Sequence, residues 1–303
     1  MESIWSKGKI KTPVYLGLAV YLWGLLRAGP AVSDAVVQGI GICTKVLVPS
    51  LFPFLVFSGM AASTGLLEEL GSWLERPMAA LFRMPGRCGG VWLLGALGGY
   101  PLGVKATMDL YRVGSLDRER AQRLCGFCAC CGPGFLLNTA GRAVFGCGRI
   151  GLFLLGIHWF SSLLVGFILT RRLPLLYHQI QKKSADVNFT PAFTGAVRGA
   201  VRSSVVICGF YLFFRGLIAM LPAGTPVWVM GLLEMSCGVT ALGGLPEELP
   251  LAAAILGWGG LSVHFQAMDL LGNSDLNPAF YWQGKLLHSI ISFLLCVLFM
   301  GLL

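Results

Sequence analysis

The sequence predicts an all-α, polytopic membrane protein with inverted repeats, two re-entrant helical hairpins and broken helices. Three observations predict it. First, 55% of the 303 residues are hydrophobic, 12% are charged and the mean hydropathy is +0.74, a composition that soluble domains of this length do not have. Second, apolar segments long enough to cross a hydrocarbon core of about 30 Å, at about 1.5 Å per helical residue, recur along the chain. Third, an apolar stretch breaks at a Gly-Gly pair and runs on to Met-Asp-Leu twice, in LLGALGGYPLGVKATMDL from Leu93 to Leu110 and ILGWGGLSVHFQAMDLL from Ile255 to Leu271. Glycine-interrupted hydrophobic segments at corresponding places in two halves point to the binding site of a membrane carrier built from repeats.

The elements follow in order. Lys7, Lys9 and Lys11 precede an apolar run from Val14 to Leu26 with no small-residue cleavage site after it, so residues 1–30 read as a retained first helix with a cytoplasmic start. A second span, Val36 to Met60, returns across the membrane and opens the first repeat, residues 31–172. Over 65–87, charged Glu68, Glu69, Glu75, Arg76, Arg83 and Arg87 alternate with Leu, Trp and Phe at helical spacing, the pattern of a helix lying in the interface. Residues 89–111 hold too many glycines for one straight helix, and basic segments flank them on both sides. They read as a re-entrant hairpin from the cytoplasm with its tip at Gly98 to Gly103.

A broken helix is expected over 119–145, capped by Ser115 with Asp117 in its first turn. Pro133 removes a backbone donor between Gly132 and Gly134, so freed carbonyls near Cys130 and Cys131 would face a ligand, unless the proline makes only a kink. A span from Gly151 to Leu169 ends at Arg171 and Arg172, and residues 173–191, with Lys182 and Lys183, read as a cytoplasmic linker. The second repeat, 192–303, restarts with a span from Phe193 to Leu221 running outward, where its counterpart from Val36 runs inward. Glu234 then sits inside apolar GLLEMSCG, a second hairpin covers 251–271 with acidic PEELP outside, and a last span runs from Tyr281 to Leu302.

The net charge of +9 comes from basic residues at the edges of apolar segments, which is topology rather than a nucleic-acid surface. The ten cysteines lie mostly within apolar segments and read as reduced thiols. Cys125, Cys128, Cys130 and Cys131 have metal-ligand spacing, but close helix contacts explain small residues there more simply. No metal and no cofactor is expected. Hydrolase and ATP-binding patterns such as G-x-S-x-G, H-E-x-x-H and G-x-x-x-x-G-K-[ST] are missing from the sequence, so no enzyme activity is expected.

The candidate binding residues are Gly98, Gly99, Tyr100, Lys105, Gly132, Pro133, Glu234, Ser262, His264 and Gln266. Lys105 would attract a carboxylate or else snorkel to the interface. Tyr100 and the backbone N–H groups of the Gly98–Gly103 tip would donate to an anion, or form only a turn. Ser262, His264 and Gln266 would point one way from an extended tip and spread from a helical one. His264 titrates near neutral pH and is a candidate for proton coupling, set against a packing role. Glu234, a carboxylate in an apolar setting, requires a cationic partner, a proton or water. Asp109 and Asp269 read as hairpin anchors outside the site.

Five strings, LFPFLVFSGM (Leu51–Met60), GGYPLGVK (Gly98–Lys105), CGPGF (Cys131–Phe135), LLEMSCG (Leu232–Gly238) and GWGGLSVHFQ (Gly257–Gln266), resemble, in that order, the YlbJ-like sporulation integral membrane proteins. The resemblance covers nearly all of the chain after the first helix. It departs at Cys128, Ala129, Cys130 and Cys131, where small polar residues such as Asn and Ser are expected. It implies the Gate or nucleoside-recognition group, similar to concentrative nucleoside transporters, and a carrier for a small dicarboxylate such as dipicolinic acid in the membrane around the developing endospore. Gate segments also occur in iron transporters. A nucleoside carrier and a spore-envelope assembly protein remain alternatives. The expected partners are a small-molecule substrate and the lipid bilayer, with no nucleic acid, and a homo-oligomer is allowed.

Overall fold

The computed structural model describes residues 11–174, 188–272 and 274–303. The lysines at 7 and 9 and most of the expected linker, with Lys182 and Lys183, lie outside the described residues. Every regular element among the described residues is helical, and five segments are long and apolar enough to cross a membrane.

Helix α1 (Lys11–Ile42) is one run with a kink at Ala28, two residues before Pro30, so the interruption falls between the two spans expected there. Pro30 lacks the N–H that would bond back along the helix, which accounts for the bend. A π-helical turn (Cys43–Leu47) carries the chain into α2 (Val48–Thr64), which Gly65 ends in the left-handed conformation. Both helices pack along α9 (Phe189–Ala219).

The expected interfacial helix is three short pieces, α3 (Leu66–Ser72), α4 (Glu75–Pro77) and a π-helical turn (Met78–Phe82). It buries Leu67, Met78 and Phe82 while leaving Trp73 89% exposed. Helices α5 (Gly86–Gly98) and α6 (Leu102–Arg112) fold back on one another around Gly99, Tyr100 and Pro101. Helix α7 (Arg118–Cys125) follows. Its cap is Asp117, whose carboxylate accepts from the Arg120 nitrogen at 2.9 Å, not Ser115. The chain is irregular from 126 to 132, turns helical at Pro133, and continues as a π-helical segment (Phe135–Val144) before α8 (Gly148–Thr170).

After α9 come α10 (Val227–Leu233) and α11 (Met235–Thr240), separated only by extended Glu234. Helices α12 (Leu249–Trp258) and α13 (Gly260–Leu271) follow, then α14 (Ala279–Phe299). Here the structure corrects the expected hairpin over 251–271. Helix α12 packs on α14 and α8, α13 packs on α9, α6 and α10, and the two do not lie side by side. Gly259 and Gly260, both at positive φ, break one segment in two. The chain folds back instead at Glu234, where α10 and α11 pack together.

A common order therefore recurs. One hairpin (α5, α6), one broken segment (α7 and the π segment) and one span (α8) are followed, after α9, by a second hairpin (α10, α11), broken segment (α12, α13) and span (α14). Both hairpins cross at glycines. A Cβ on Gly95 or on Gly103 would run into the Cys128 carbonyl of the first break, and a Cβ on Gly238 would run into the Gly231 backbone. Small residues at such crossings are what let helix backbones approach closely.

Candidate functional site

The two hairpin tips each meet the break of their own half. Gly99 lies against Gly132: a Cβ on Gly99 would stand 3.1 Å from the Gly132 nitrogen. Glu234 lies against Gly260, where a Cβ would be 3.1 Å from the Glu234 Cα and 2.8 Å from the Met235 nitrogen. Tyr100 ties the halves together. Its hydroxyl donates to the Leu256 carbonyl at 3.0 Å, in the last turn of α12, and its ring fills the space beside Gly259.

The irregular backbone of the first break must have its polar groups satisfied away from lipid. Ser162 donates to the Phe127 carbonyl at 2.8 Å and itself accepts from the Trp92 indole at 2.7 Å. The Cys131 N–H donates to His158 Nε2 at 2.8 Å. Lys285 donates to the Ala129 carbonyl at 3.1 Å. The thiols are secondary: Cys130 donates to Ser162 at 3.3 Å, Cys128 pairs with Thr107 at 3.4 Å, and no metal-holding group of His, Cys, Asp or Glu occurs among the described residues.

Lys285 is the residue that sequence reasoning missed. Its ammonium is fully buried and donates to Tyr100 Oη at 2.7 Å, below the ring whose centroid is 4.6 Å away. His288, one turn on, donates from Nε2 to the His158 carbonyl at 3.0 Å, and the two imidazoles lie tilted against each other with centroids 4.4 Å apart. The signal was in the sequence: Lys285 and His288 stand inside the last apolar span and His158 inside α8, and ionisable residues at membrane depth are rarely idle.

Glu234 accepts from the Cys237 N–H at 2.8 Å and from the Ser236 hydroxyl, capping α11. Its carboxylate is thus held by its own helix, with no ion pair among the described residues. Ser262 and Gln266 lie one turn apart on helical α13, 3.4 Å from each other, while His264 points elsewhere. Its Nδ1 meets the Tyr281 hydroxyl at 2.9 Å, and Trp258 and Trp282 enclose the ring. A Cβ on Gly98 would meet Leu102 and Phe54, while the Gly98 carbonyl carbon would stand 3.7 Å from a Cβ on Gly132, and Pro133 opens the helix after the first break.

Lys105 and Gln266 line a separate feature, a cleft of about 710 Å³ between α2, α6, α9 and α13. Arg112, Arg202, Asp109 and Asp269 line it too, so both Met-Asp-Leu aspartates, read as anchors, face one cleft. Lys105 pairs with Asp109 at 2.7 Å. Pro101 also lines the cleft, next in the chain to Tyr100, so the cleft adjoins the junction of tips and breaks. Outside the spans, Tyr111 donates to Asp275 at 2.6 Å and Arg118 pairs with it at 3.1 Å. The Tyr111 hydrogen bond, with help from Arg118, holds the Asp275 carboxyl below the usual carboxylate range.

Paired hairpins, broken helices and apolar spans make the described residues those of a polytopic, helical membrane protein. Residues 44–141 match the Gate family, described as nucleoside recognition. The chain is similar to the sporulation integral membrane protein YlbJ of Bacillus subtilis (strain 168), at 22% identity over 330 residues that cover 93% of this chain and 81% of that one. No solved structure matches it.

Proposed function

We propose that this protein is a sporulation-associated carrier that moves a small anionic aromatic metabolite, dipicolinic acid foremost, by alternating access between two inverted repeats. The observation that carries the reading is the recurrence of hairpin, break and span, with each tip seated on its own break and Tyr100 reaching across to the other. The reading takes three crossings between the hairpins: the spans α8 and α9 and, ahead of them, the broken segment of α7 and Phe135–Val144. An odd number would set the hairpins on opposite faces, the arrangement through which carriers rock around a fixed site. The contacts agree with that order. Asp275, after α13, meets Tyr111 and Arg118, at the end of the first hairpin, whereas Gly244, after α11, lies against Val144 at the far end of the π segment.

The cleft is the substrate's access route. Its basic groups Lys105, Arg112 and Arg202 outnumber the carboxylates of Asp109 and Asp269, which favours an anion, and its volume accommodates a ring with two carboxylates. The relative is named a sporulation integral membrane protein, which supports a role for this chain in sporulation. The Gate description favours a nucleoside as the second reading.

The test is uptake of labelled dipicolinate, and separately uridine, into proteoliposomes holding the wild-type protein, Lys105→Ala and Glu234→Gln. Dipicolinate uptake that Lys105→Ala abolishes is the expected result. Uridine uptake instead moves the protein to the nucleoside reading. Folded protein that carries neither overturns transport and leaves an assembly role, for which the exposed Trp73 on the segment over 65–87 is the first surface to truncate.

A further inference from the structure

A charge buried in a membrane protein is expensive unless an opposite charge or good hydrogen bonds compensate it. Lys285 is fully buried and, among the described residues, no carboxylate lies within ion-pair distance of it. Its Nζ is held by neutral oxygens: the Tyr100 hydroxyl at 2.7 Å and the Ala129 carbonyl at 3.1 Å, the latter freed by the break after α7. Carbonyls of an unwound helix together with a hydroxyl form the ligand set of a coupling-cation site in a carrier. Here the cation is tethered to α14.

The chain of donors runs on. Lys285 donates to Tyr100 Oη, and Tyr100 donates to the Leu256 carbonyl at 3.0 Å. One ammonium thereby fastens the first hairpin tip, the first break and the last turn before the second break. A neutral amine has a lone pair, toward which the Tyr100 O–H can turn, and the Leu256 carbonyl is then released.

A route for the proton is also built. His288 donates from Nε2 to the His158 carbonyl at 3.0 Å, so its neutral form carries a lone pair at Nδ1, 3.5 Å from Lys285 Nζ. His158 accepts from the Cys131 N–H at Nε2, which leaves its proton on Nδ1, where it finds no partner. Ser161 of α8 and Ser292 of α14, two helices that pack on one another, have fully buried hydroxyls that are equally unpartnered among the described residues. Orphaned polar atoms along one buried seam are the lining of a water file.

We propose that Lys285 is the proton-coupling site of this carrier, exchanging its proton with His288 and a hydrated seam between α8 and α14. In the transfer an N–H bond breaks at Nζ and one forms at His288 Nδ1, and the imidazolium passes that proton to water. The other titratable groups facing Lys285 are Tyr100 on the first hairpin, Cys128, Cys130 and Cys131 in the break, and His158 on α8. Helix α12 contributes none. On its own helix stand His288 and Tyr281, the latter joined to His264 of α13.

This inference rests on the transport reading, so its test includes a readout that does not need transport. Purified protein labelled with ¹⁵N-lysine is titrated from about pH 5 to about pH 9, across the neutral range in which histidine exchanges its proton, and compared with Lys285→Arg, which keeps the cation and hydrogen-bond donors but does not titrate. One lysine Nζ resonance that titrates in this window and is lost in Lys285→Arg is expected, with a midpoint displaced in His288→Asn. No such resonance overturns the proposal. In proteoliposomes, an imposed pH gradient should drive dipicolinate accumulation by the wild type about tenfold or more above the arginine variant. Equal accumulation by the two also overturns it. Absence of exchange of labelled for unlabelled substrate in the wild type sinks the transport reading alone, and the titration still decides whether Lys285 binds the proton.

Discussion

In the first half of the molecule the notch between Gly95 and Gly103 holds a backbone carbonyl, that of Cys128; in the second, the notch between Gly231 and Gly238 holds the side chain of Ile255. The breaks differ in the same sense. The first spreads over residues 126–132 and needs Ser162, His158 and Lys285 to satisfy its backbone, whereas the second is confined to Gly259 and Gly260. A side chain in a notch can rotate or shrink, and a peptide group cannot. The first half is therefore the part where position is fixed by the backbone and where peptide groups paired by side chains are collected beside a buried cation.

That difference can be broken most severely at the first notch. Gly103→Ala puts a methyl group into the Cys128 carbonyl, and the cost should exceed the ~3 kcal/mol of ordinary overpacking, so little monodisperse protein is expected on size exclusion in detergent. At the second notch Ile255→Ala leaves a cavity and should cost about 2–5 kcal/mol, read as a lowered Tm with a folded protein retained. Equal damage from the two would erase the contrast.

Smaller changes sharpen it. Tyr100→Phe removes the hydroxyl between Lys285 and the Leu256 carbonyl and strands a buried acceptor, for about 1–3 kcal/mol. Glu234→Ala removes a helix cap and should cost about 1 kcal/mol, whereas Glu234→Gln keeps an acceptor for the Cys237 N–H and should cost less. The smallest effect belongs to Asp275. Its carboxyl is held below its usual value in the folded protein, so the contribution is complete above the usual carboxylate range and disappears as pH falls through the lowered value. The Tm gap between wild type and Asp275→Asn should be present at neutral pH and vanish in strong acid.

The membrane class, the apolar spans and the importance of the glycine-rich segments were legible because composition and glycine placement report directly on lipid burial and backbone approach. The pairing of the repeats was not. The strings around Gly98 and Gly259 look alike because a hairpin tip and a helix break both need glycine, and hydrophobic pattern does not say whether the chain returns after the interruption. The true fold-back at Glu234 has arms of only 7 and 6 residues, too short for a periodic signal. Gly99, Tyr100, Gly132 and Glu234 were reachable from the strings that contain them. Lys285, His158 and His288 were passed over because they sit in uninterrupted spans, although their charge in that setting was readable.

The claim on which the account turns is that the hairpins enter from opposite faces. In a background with the partly exposed Cys147, Cys208 and Cys237 replaced by Ala, single cysteines at Val113→Cys, after the first hairpin, and Leu245→Cys, after the second, are labelled in right-side-out and inverted vesicles with a membrane-impermeant maleimide. The account predicts that each is labelled in only one orientation and that the orientations differ. Labelling of both from the same face would contradict it.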